Sequence, residues 1–127
     1  MNDYKQIRRD PSYSRLRNLD TFKIHQFSRL WLQNSLAESA GYKNIVITHH
    51  APSIQSVPAD YQNNPVSAAY ASNLEELMIQ YQPQYWIHGH IHTPVRNQMG
   101  ATEVICNPHG YLNEPYNGYQ KELIVEL

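Results

Sequence analysis

The sequence contains a single cysteine, Cys106, among its 127 residues. One thiol excludes an intrachain disulfide, and nothing in the sequence requires an oxidising compartment. No apolar run approaches the roughly 20 residues that a membrane-spanning helix needs, and the first residues lack the apolar stretch of a secretory signal peptide. We therefore expect a cytoplasmic protein with no membrane partner.

A charge excess of one sign is also lacking, because ten basic and eleven acidic side chains give a net charge of -1. This balance produces no field that would attract nucleic acid unaided. The ten tyrosines are dispersed and have no basic stripe beside them, so a stacking platform for bases is not indicated. The length predicts one domain with a single core, covering residues 1–127.

Hydrophobic spacing predicts an amphipathic helix from Thr21 to Gly41, with Trp31 on its apolar face and therefore in the core. The first 20 residues show neither helical nor strand periodicity and are expected to be extended or irregular. A proline-containing loop is predicted over residues 51–65. A second helix is predicted to follow it, with Ser72 and Glu75 as its capping box.

Two short apolar runs predict strands that are buried on both faces, residues 44–48 and residues 84–88, the second of which contains Trp86. Three later segments also have strand composition, with a hairpin turn expected at Gly100: residues 95–98, 102–106 and 123–126. The order of helices and strands predicts an α/β fold in which both of the early strands end in histidines.

Each histidine motif stands at the end of one of these apolar runs. The first is Thr48-His49-His50-Ala51-Pro52 and the second is His88-Gly89-His90-Ile91-His92, and together they contain five of the seven histidines. Neutral imidazole is a common ligand of transition metals, and residues that follow strand ends project into the crevice where α/β proteins place their sites. The pattern therefore predicts a metal site.

Within these motifs, His49, His90 and His92 are the predicted metal ligands, and His50 is predicted to face the substrate or to support a ligand. His90 and His92 would share one side of an extended backbone, whereas a turn between them would send them to different centres. Gly89 is expected where the backbone passes close to another group, since glycine has no Cβ.

The two motifs resemble those of the calcineurin-like metallophosphoesterases, whose Gly-His-x-His motif matches residues 89–92 and whose Thr-His-x-x-Pro setting matches residues 48–52. Residues 28–32, 67–72 and 106–111 are similar to one bacterial subgroup of that family. The last of these segments suggests Asn107, His109 and Tyr111 as substrate-binding residues, although structural roles in a turn are an open alternative for Asn107 and Tyr111. His109 replaces the subgroup's usual arginine, so an anion contact by a guanidinium is not expected there.

The resemblance implies a sandwich of two sheets flanked by helices, of which this chain would form the C-terminal half. It also implies a centre of two divalent ions (Mn, Fe, Zn or Ni), with His49 and His90 on one ion and His92 on the other. The implied reaction is hydrolysis of a phosphomonoester or phosphodiester. The ions would clamp the ester and activate a water molecule.

The family's carboxylate ligands come from an N-terminal half whose Asp-x-His motif, bridging aspartate and Asn-His pair do not occur in this sequence. Three neutral imidazoles would leave two divalent ions without charge compensation. We therefore expect the chain alone to be inactive or nearly so. It would need the missing N-terminal half or a complementing chain as its partner, and exposed apolar surface would favour a homo-oligomer.

Two other functions are compatible with the same residues. One is a non-catalytic binding or interaction module that keeps a residual single-metal site. The other is a structural zinc site built from His49, His90 and either His92 or Cys106, which predicts loss of folding when the metal is removed.

Overall fold

A computed structural model describes residues 3–127 of the chain. The residues form two compact units, one that ends at Glu38 and one that spans Ser39–Leu127. Within residues 3–127, no helix has both the length and the apolar composition to cross a membrane.

The first unit begins with a short helix, α1 (Asp3–Gln6), and an antiparallel pair of two-residue strands, β1 (Arg8–Arg9) and β2 (Ser14–Arg15). A long helix, α2 (Asn18–Glu38), follows. The predicted irregular lead-in is thus partly wrong, because it contains regular elements. The predicted helix exists, but it begins three residues before the expected start, and the prediction that one of its faces is apolar and buried is wrong, since only Asp20 and Leu36 among its described residues are buried.

Asp20 explains how the first unit holds its small hairpin against the start of α2. Its carboxylate forms ion pairs with Arg9 and Arg17 and accepts a hydrogen bond from the Arg17 backbone N–H at 2.9 Å. Burial acts to raise the pKa of Asp20, but the hydrogen bonds from Arg17 and the charges of both arginines outweigh it and lower that pKa. Asp20 therefore ties the hairpin to the start of α2, and it is not part of the histidine group found among the described residues.

The apolar residues of α2 are largely exposed. Phe27 and Trp31 have 74% and 69% of their surface accessible. The prediction that Trp31 belongs to the core is therefore wrong. Helical periodicity indicates which residues share a face of a helix, but it does not say whether another element covers that face.

The second unit is organised around a four-stranded sheet with the order β3 (Ile45–Ile47), β4 (Tyr85–His88), β6 (Thr102–Cys106), β5 (Val95–Met99). β3 and β6 run parallel to β4, with Val46 opposite Trp86 and Trp86 opposite Val104. β5 and β6 form an antiparallel hairpin that turns at Gly100, whose φ is +61°. The predicted α/β class and this turn are confirmed.

The two strands that precede the histidine motifs differ in burial. β4 is central, and Trp86 is fully buried in it, as predicted. β3 lies at the edge of the sheet, where Val46 is buried but Ile45 and Ile47 are exposed. The prediction that β3 is buried on both faces is therefore wrong.

The connection between β3 and β4 contains two 3₁₀ turns (Ile54–Ser56 and Pro65–Ala69), helix α3 (Ala59–Gln62) and helix α4 (Glu75–Tyr81). The predicted capping box of α4 is wrong: the helix is capped at Leu74, without a side-chain hydrogen bond. Ser72 instead donates its backbone N–H to the Ala51 carbonyl at 2.8 Å. This bond belongs to a parallel bridge between Ala51 and Ala71.

The predicted strand over residues 123–126 is also wrong, since this part of the described chain has no regular structure. Its backbone is held by side chains instead of a strand ladder. The Tyr85 hydroxyl donates a hydrogen bond to the Glu126 carbonyl at 2.7 Å. The strand-like composition of residues 123–126 therefore belongs to a segment that contacts the Tyr85 side chain of β4 but forms no strand ladder with it.

Candidate metal centre

The turn that carries His49 and His50 is fixed by Thr48. The Thr48 backbone N–H donates to the Ile87 carbonyl at 3.0 Å, which continues the ladder between β3 and β4 by one residue. Its hydroxyl accepts a hydrogen bond from the indole N–H of Trp86 at 3.0 Å and donates one to the His50 carbonyl at 2.7 Å. A fully buried tryptophan thus positions the backbone of an exposed histidine pair.

The turn that carries His90 is equally constrained. The Ile91 N–H donates to the Gly89 carbonyl at 2.7 Å around His90, whose φ is +63°. This is the hydrogen-bond pattern of a γ-turn, and a positive φ at a non-glycine residue costs about 1–3 kcal/mol. The Ile91 side chain offsets part of that cost because it is buried in a small core with Ala51 and Val57.

The close approach expected at Gly89 is made by its backbone N–H. The Gly89 N–H donates to the His49 carbonyl at 3.1 Å. A Cβ placed on Gly89 would lie 3.8 Å from the His49 carbonyl oxygen and 3.9 Å from its Nδ1. These are ordinary van der Waals distances, so the backbone passes close to His49 at Gly89 but the space there does not itself require a glycine.

The two turns bring His49, His50 and His90 together. One ring nitrogen from each lies within 4.8 Å of the others, and His49 Nε2 is 3.1 Å from His90 Nδ1. Ligand nitrogens on a tetrahedral zinc ion, with Zn–N of 2.0–2.1 Å, are about 3.3 Å apart. The 3.1 Å spacing of His49 and His90 and the imidazole ligand type therefore fit one transition-metal ion.

Tyr70 lies against the same group. The ring centroids of Tyr70 and His90 are 5.0 Å apart, and the Tyr70 carbonyl accepts a hydrogen bond from the Ala51 N–H at 3.0 Å. The pairing of Ala51 with the 70–72 segment therefore brings an aromatic side chain from the long connection to the histidine group. Tyr70 lies in the segment 67–72 that resembles one subgroup of the family, but the sequence analysis assigned it no role, since only the tertiary pairing places it beside His90.

His92 lies outside this group, with a carboxylate as its partner. Its Nδ1 is 3.0 Å from Oε1 and 2.8 Å from Oε2 of Glu114. The hydrogen bond from the Tyr111 backbone N–H lowers the pKa of the Glu114 carboxyl most, and the hydrogen bond from the His92 ring lowers it further. Glu114 was also missed by sequence reasoning, because no periodicity or motif links position 114 to position 92.

The three residues suggested for substrate binding lie in the segment after β6. The Asn107 side-chain amide donates a hydrogen bond to the Gln120 carbonyl at 2.7 Å and accepts one from the Gln120 backbone N–H at 2.9 Å. The His109 ring lies beside Tyr119, with 5.1 Å between centroids. The Tyr111 ring stands at 84° to His92, with 4.6 Å between centroids. Their binding of substrate stays a prediction.

Two buried groups lie close to the motifs. Burial raises the pKa of the Cys106 thiol to about 11, and Sγ is 3.4 Å from the Ile91 carbonyl oxygen. His88 is buried, and this burial lowers its pKa. The grouping of His49, His50 and His90 within the described residues does not contain Cys106, so a zinc site that uses this thiol is not favoured.

A sequence model of the calcineurin-like phosphoesterase family matches residues 3–94. The chain belongs to this family. The family resemblance read from the two histidine motifs is thereby confirmed, and the mixed α/β architecture is consistent with part of the metallophosphoesterase fold. Searches among curated proteins and among solved structures returned no match.

The match includes both histidine motifs but ends two residues after His92. The hairpin of β5 and β6, Asn107, Tyr111 and Glu114 all lie beyond it. Membership of the family is therefore shown by the part of the chain that carries the predicted ligands. The residues that contact His92 in the structure, Tyr111, Glu114 and Asn117, lie beyond the match.

Proposed function

We propose that this chain supplies histidine ligands to the metal centre of a phosphoesterase that hydrolyses phosphomonoesters or phosphodiesters. The proposal rests on the 3.1 Å approach of His49 Nε2 to His90 Nδ1, in a chain whose family is that of the calcineurin-like phosphoesterases. His49 and His90 would hold one divalent ion. His92 would hold a second ion in the intact site.

Bound divalent ions would polarise the phosphoester and lower the pKa of a bound water molecule. The chain's own residues would position that chemistry. Trp86 and Thr48 hold the turn of His49 and His50, and the γ-turn presents His90. His50, which is exposed and has its ring centroid 4.6 Å from that of His90, can donate a hydrogen bond to a phosphate oxygen.

Charge is the reason to expect that further ligands are needed. Neutral imidazoles do not compensate two divalent ions, so we propose that carboxylates come from an N-terminal half or a complementing chain. The exposed side chains of Ile45 and Ile47 on β3 and of Phe27 on α2 support a partner that covers apolar surface, which a second copy of the chain could also provide. The chain alone would then have little turnover.

A second candidate is a non-catalytic module with one metal ion. The compact group of His49, His50 and His90 favours it, because all three rings can reach a single ion. In this case His50 would be a ligand and would not face a substrate. The two candidates differ in the number of ions bound and in turnover.

The test is metal content by mass spectrometry on the purified chain, paired with hydrolysis of bis-p-nitrophenyl phosphate and p-nitrophenyl phosphate in Mn²⁺. Binding that is lost in His49→Ala and kept in His25→Ala, a control on exposed α2, would support the histidine centre. No retained metal in Mn²⁺, Zn²⁺, Fe²⁺ or Ni²⁺ would overturn the single-ion module, whereas a centre whose carboxylates come from a partner predicts at most one weakly held ion and no turnover. Two ions with turnover in the chain alone would overturn the need for a partner.

A further inference from the structure

The carboxylate of Glu114 lies on one nitrogen of the His92 ring. Both carboxylate oxygens are within 3.0 Å of His92 Nδ1. A carboxylate accepts hydrogen bonds and donates none when it is ionised, so Nδ1 must carry the proton in this contact. The other ring nitrogen, Nε2, then keeps its lone pair unless the ring is doubly protonated.

Glu114 is itself held in place by the chain around it. Its Oε2 accepts a hydrogen bond from the Tyr111 backbone N–H at 2.9 Å. Gly110, with a φ of +76°, passes so close that a Cβ there would lie 2.8 Å from the same oxygen. The carboxylate is therefore supported by the backbone on one side and bonded to His92 on the other.

The segment that carries Glu114 has hydrogen bonds between its two ends and a further hydrogen bond to the His92 backbone. Asn107 and the Gln120 backbone form a reciprocal pair of hydrogen bonds. The Asn117 amide donates to the carbonyl of His92 at 2.9 Å and to that of Pro108 at 3.0 Å. Residues 107–120 therefore form a loop that contacts His92 twice. Asn117 bonds the His92 backbone, and Glu114 bonds the His92 ring.

We infer that Glu114 is a positioning residue, which fixes the tautomer and ring orientation of His92 so that Nε2 is the ligand atom. A histidine that ligates a metal commonly donates its other N–H to a carboxylate, and loss of such a partner costs about 10- to 100-fold in metal affinity. The inference rests on the proposed metal role of His92. It gives Glu114, which lies beyond the residues matched by the family model, a role in the proposed metal centre.

An ordinary surface ion pair would be the alternative, and such pairs contribute only about 0–1 kcal/mol to stability. The geometry favours positioning. The Tyr111 ring stands perpendicular to His92 on a third side, so the imidazole is restrained by a carboxylate, an aromatic ring and the Asn117 bond to its backbone.

The experiment is long-range ¹H–¹⁵N NMR on the full chain labelled at histidine, with the His92 signals assigned from His92→Gln. The wild type should show a protonated Nδ1 and an unprotonated Nε2. Glu114→Gln, whose amide oxygen can still accept the bond, should keep this tautomer. Glu114→Ala should lose it, whereas the exposed Glu122→Ala on the same C-terminal segment should match the wild type.

A Zn²⁺ titration followed at His92 Nε2 then tests the consequence. Glu114→Ala should need about 10- to 100-fold more Zn²⁺ for the half-maximal shift. An unchanged tautomer and titration in Glu114→Ala would overturn the inference while leaving the proposed function standing. If Zn²⁺ shifts His49 and His90 but never His92 in the wild type, the tautomer comparison decides: loss of the Nδ1–H tautomer in Glu114→Ala supports the positioning role, and its retention overturns that role.

Discussion

The two histidines of the Gly89–His92 motif, His90 and His92, lie in different environments. His90 lies among imidazoles, with His49 and His50 beside it. His92, two residues later, lies against the carboxylate of Glu114. One group contains imidazoles alone, and the other includes a carboxylate that can compensate positive charge.

The γ-turn explains how neighbouring residues diverge. The hydrogen bond from Ile91 N–H to the Gly89 carbonyl reverses the local direction of the chain at His90, while the buried Ile91 side chain anchors the following residue. A short motif can thus place two histidines in different surroundings. The imidazole group would select for softer transition metals, and the carboxylate-backed histidine would be the more basic ligand.

Removal of His90 should have the largest effect on this comparison. His90→Asn removes the imidazole while keeping a residue that tolerates positive φ. We expect the affinity of the imidazole group for Zn²⁺ to fall by more than the roughly 100-fold that loss of an outer partner can cause. Isothermal titration would measure it, with His25→Asn as the control. Equal affinity in His90→Asn and the wild type would mean that the group is not a metal site.

A methyl group at Gly110 should act selectively on the His92 side. Gly110→Ala combines a φ of +76° with a Cβ 2.8 Å from Glu114 Oε2, so we expect destabilisation of about 1–2 kcal/mol and displacement of Glu114 from His92. Urea unfolding and the His92 NMR signals would measure these effects.

Gly89→Ala is the matched substitution on the His90 side. Its Cβ would make ordinary contacts with His49, so we expect a change in stability within about 0.5 kcal/mol. Destabilisation by Gly89→Ala as large as that by Gly110→Ala would remove the distinction between the two sides.

The smallest response to Zn²⁺ is expected at Cys106, which contacts the carbonyls of both Gly89 and Ile91. Burial raises the pKa of its thiol to about 11, so the thiol should stay protonated at pH 8 and react slowly with a disulfide reagent. Labelling should be at least about 100-fold slower than in the urea-unfolded chain. Added Zn²⁺ should not protect it further; protection by stoichiometric Zn²⁺ would favour the structural zinc site.

The sequence was sufficient for features that depend on local pattern. The apolar run around Trp86 predicted a buried strand, and the turn at Gly100 follows from a glycine that can adopt positive φ. Local pattern failed where another segment competes for the same backbone group, as at Ser72, whose N–H donates to the Ala51 carbonyl and not to the Glu75 side chain of a capping box. Strand-like composition at residues 123–126 failed because no neighbouring strand pairs with it.

By itself, the sequence determined the family, the α/β class and the two histidine motifs at strand ends, since these follow from residue identity, spacing and period. Tertiary structure decided which histidines meet: the parallel pairing of β3 with β4 places His49 beside His90. It also decided that Glu114 reaches His92, because the loop over residues 107–120 folds back on its own hydrogen bonds. Contacts between residues so distant in sequence depend on chain geometry, which a local pattern does not contain.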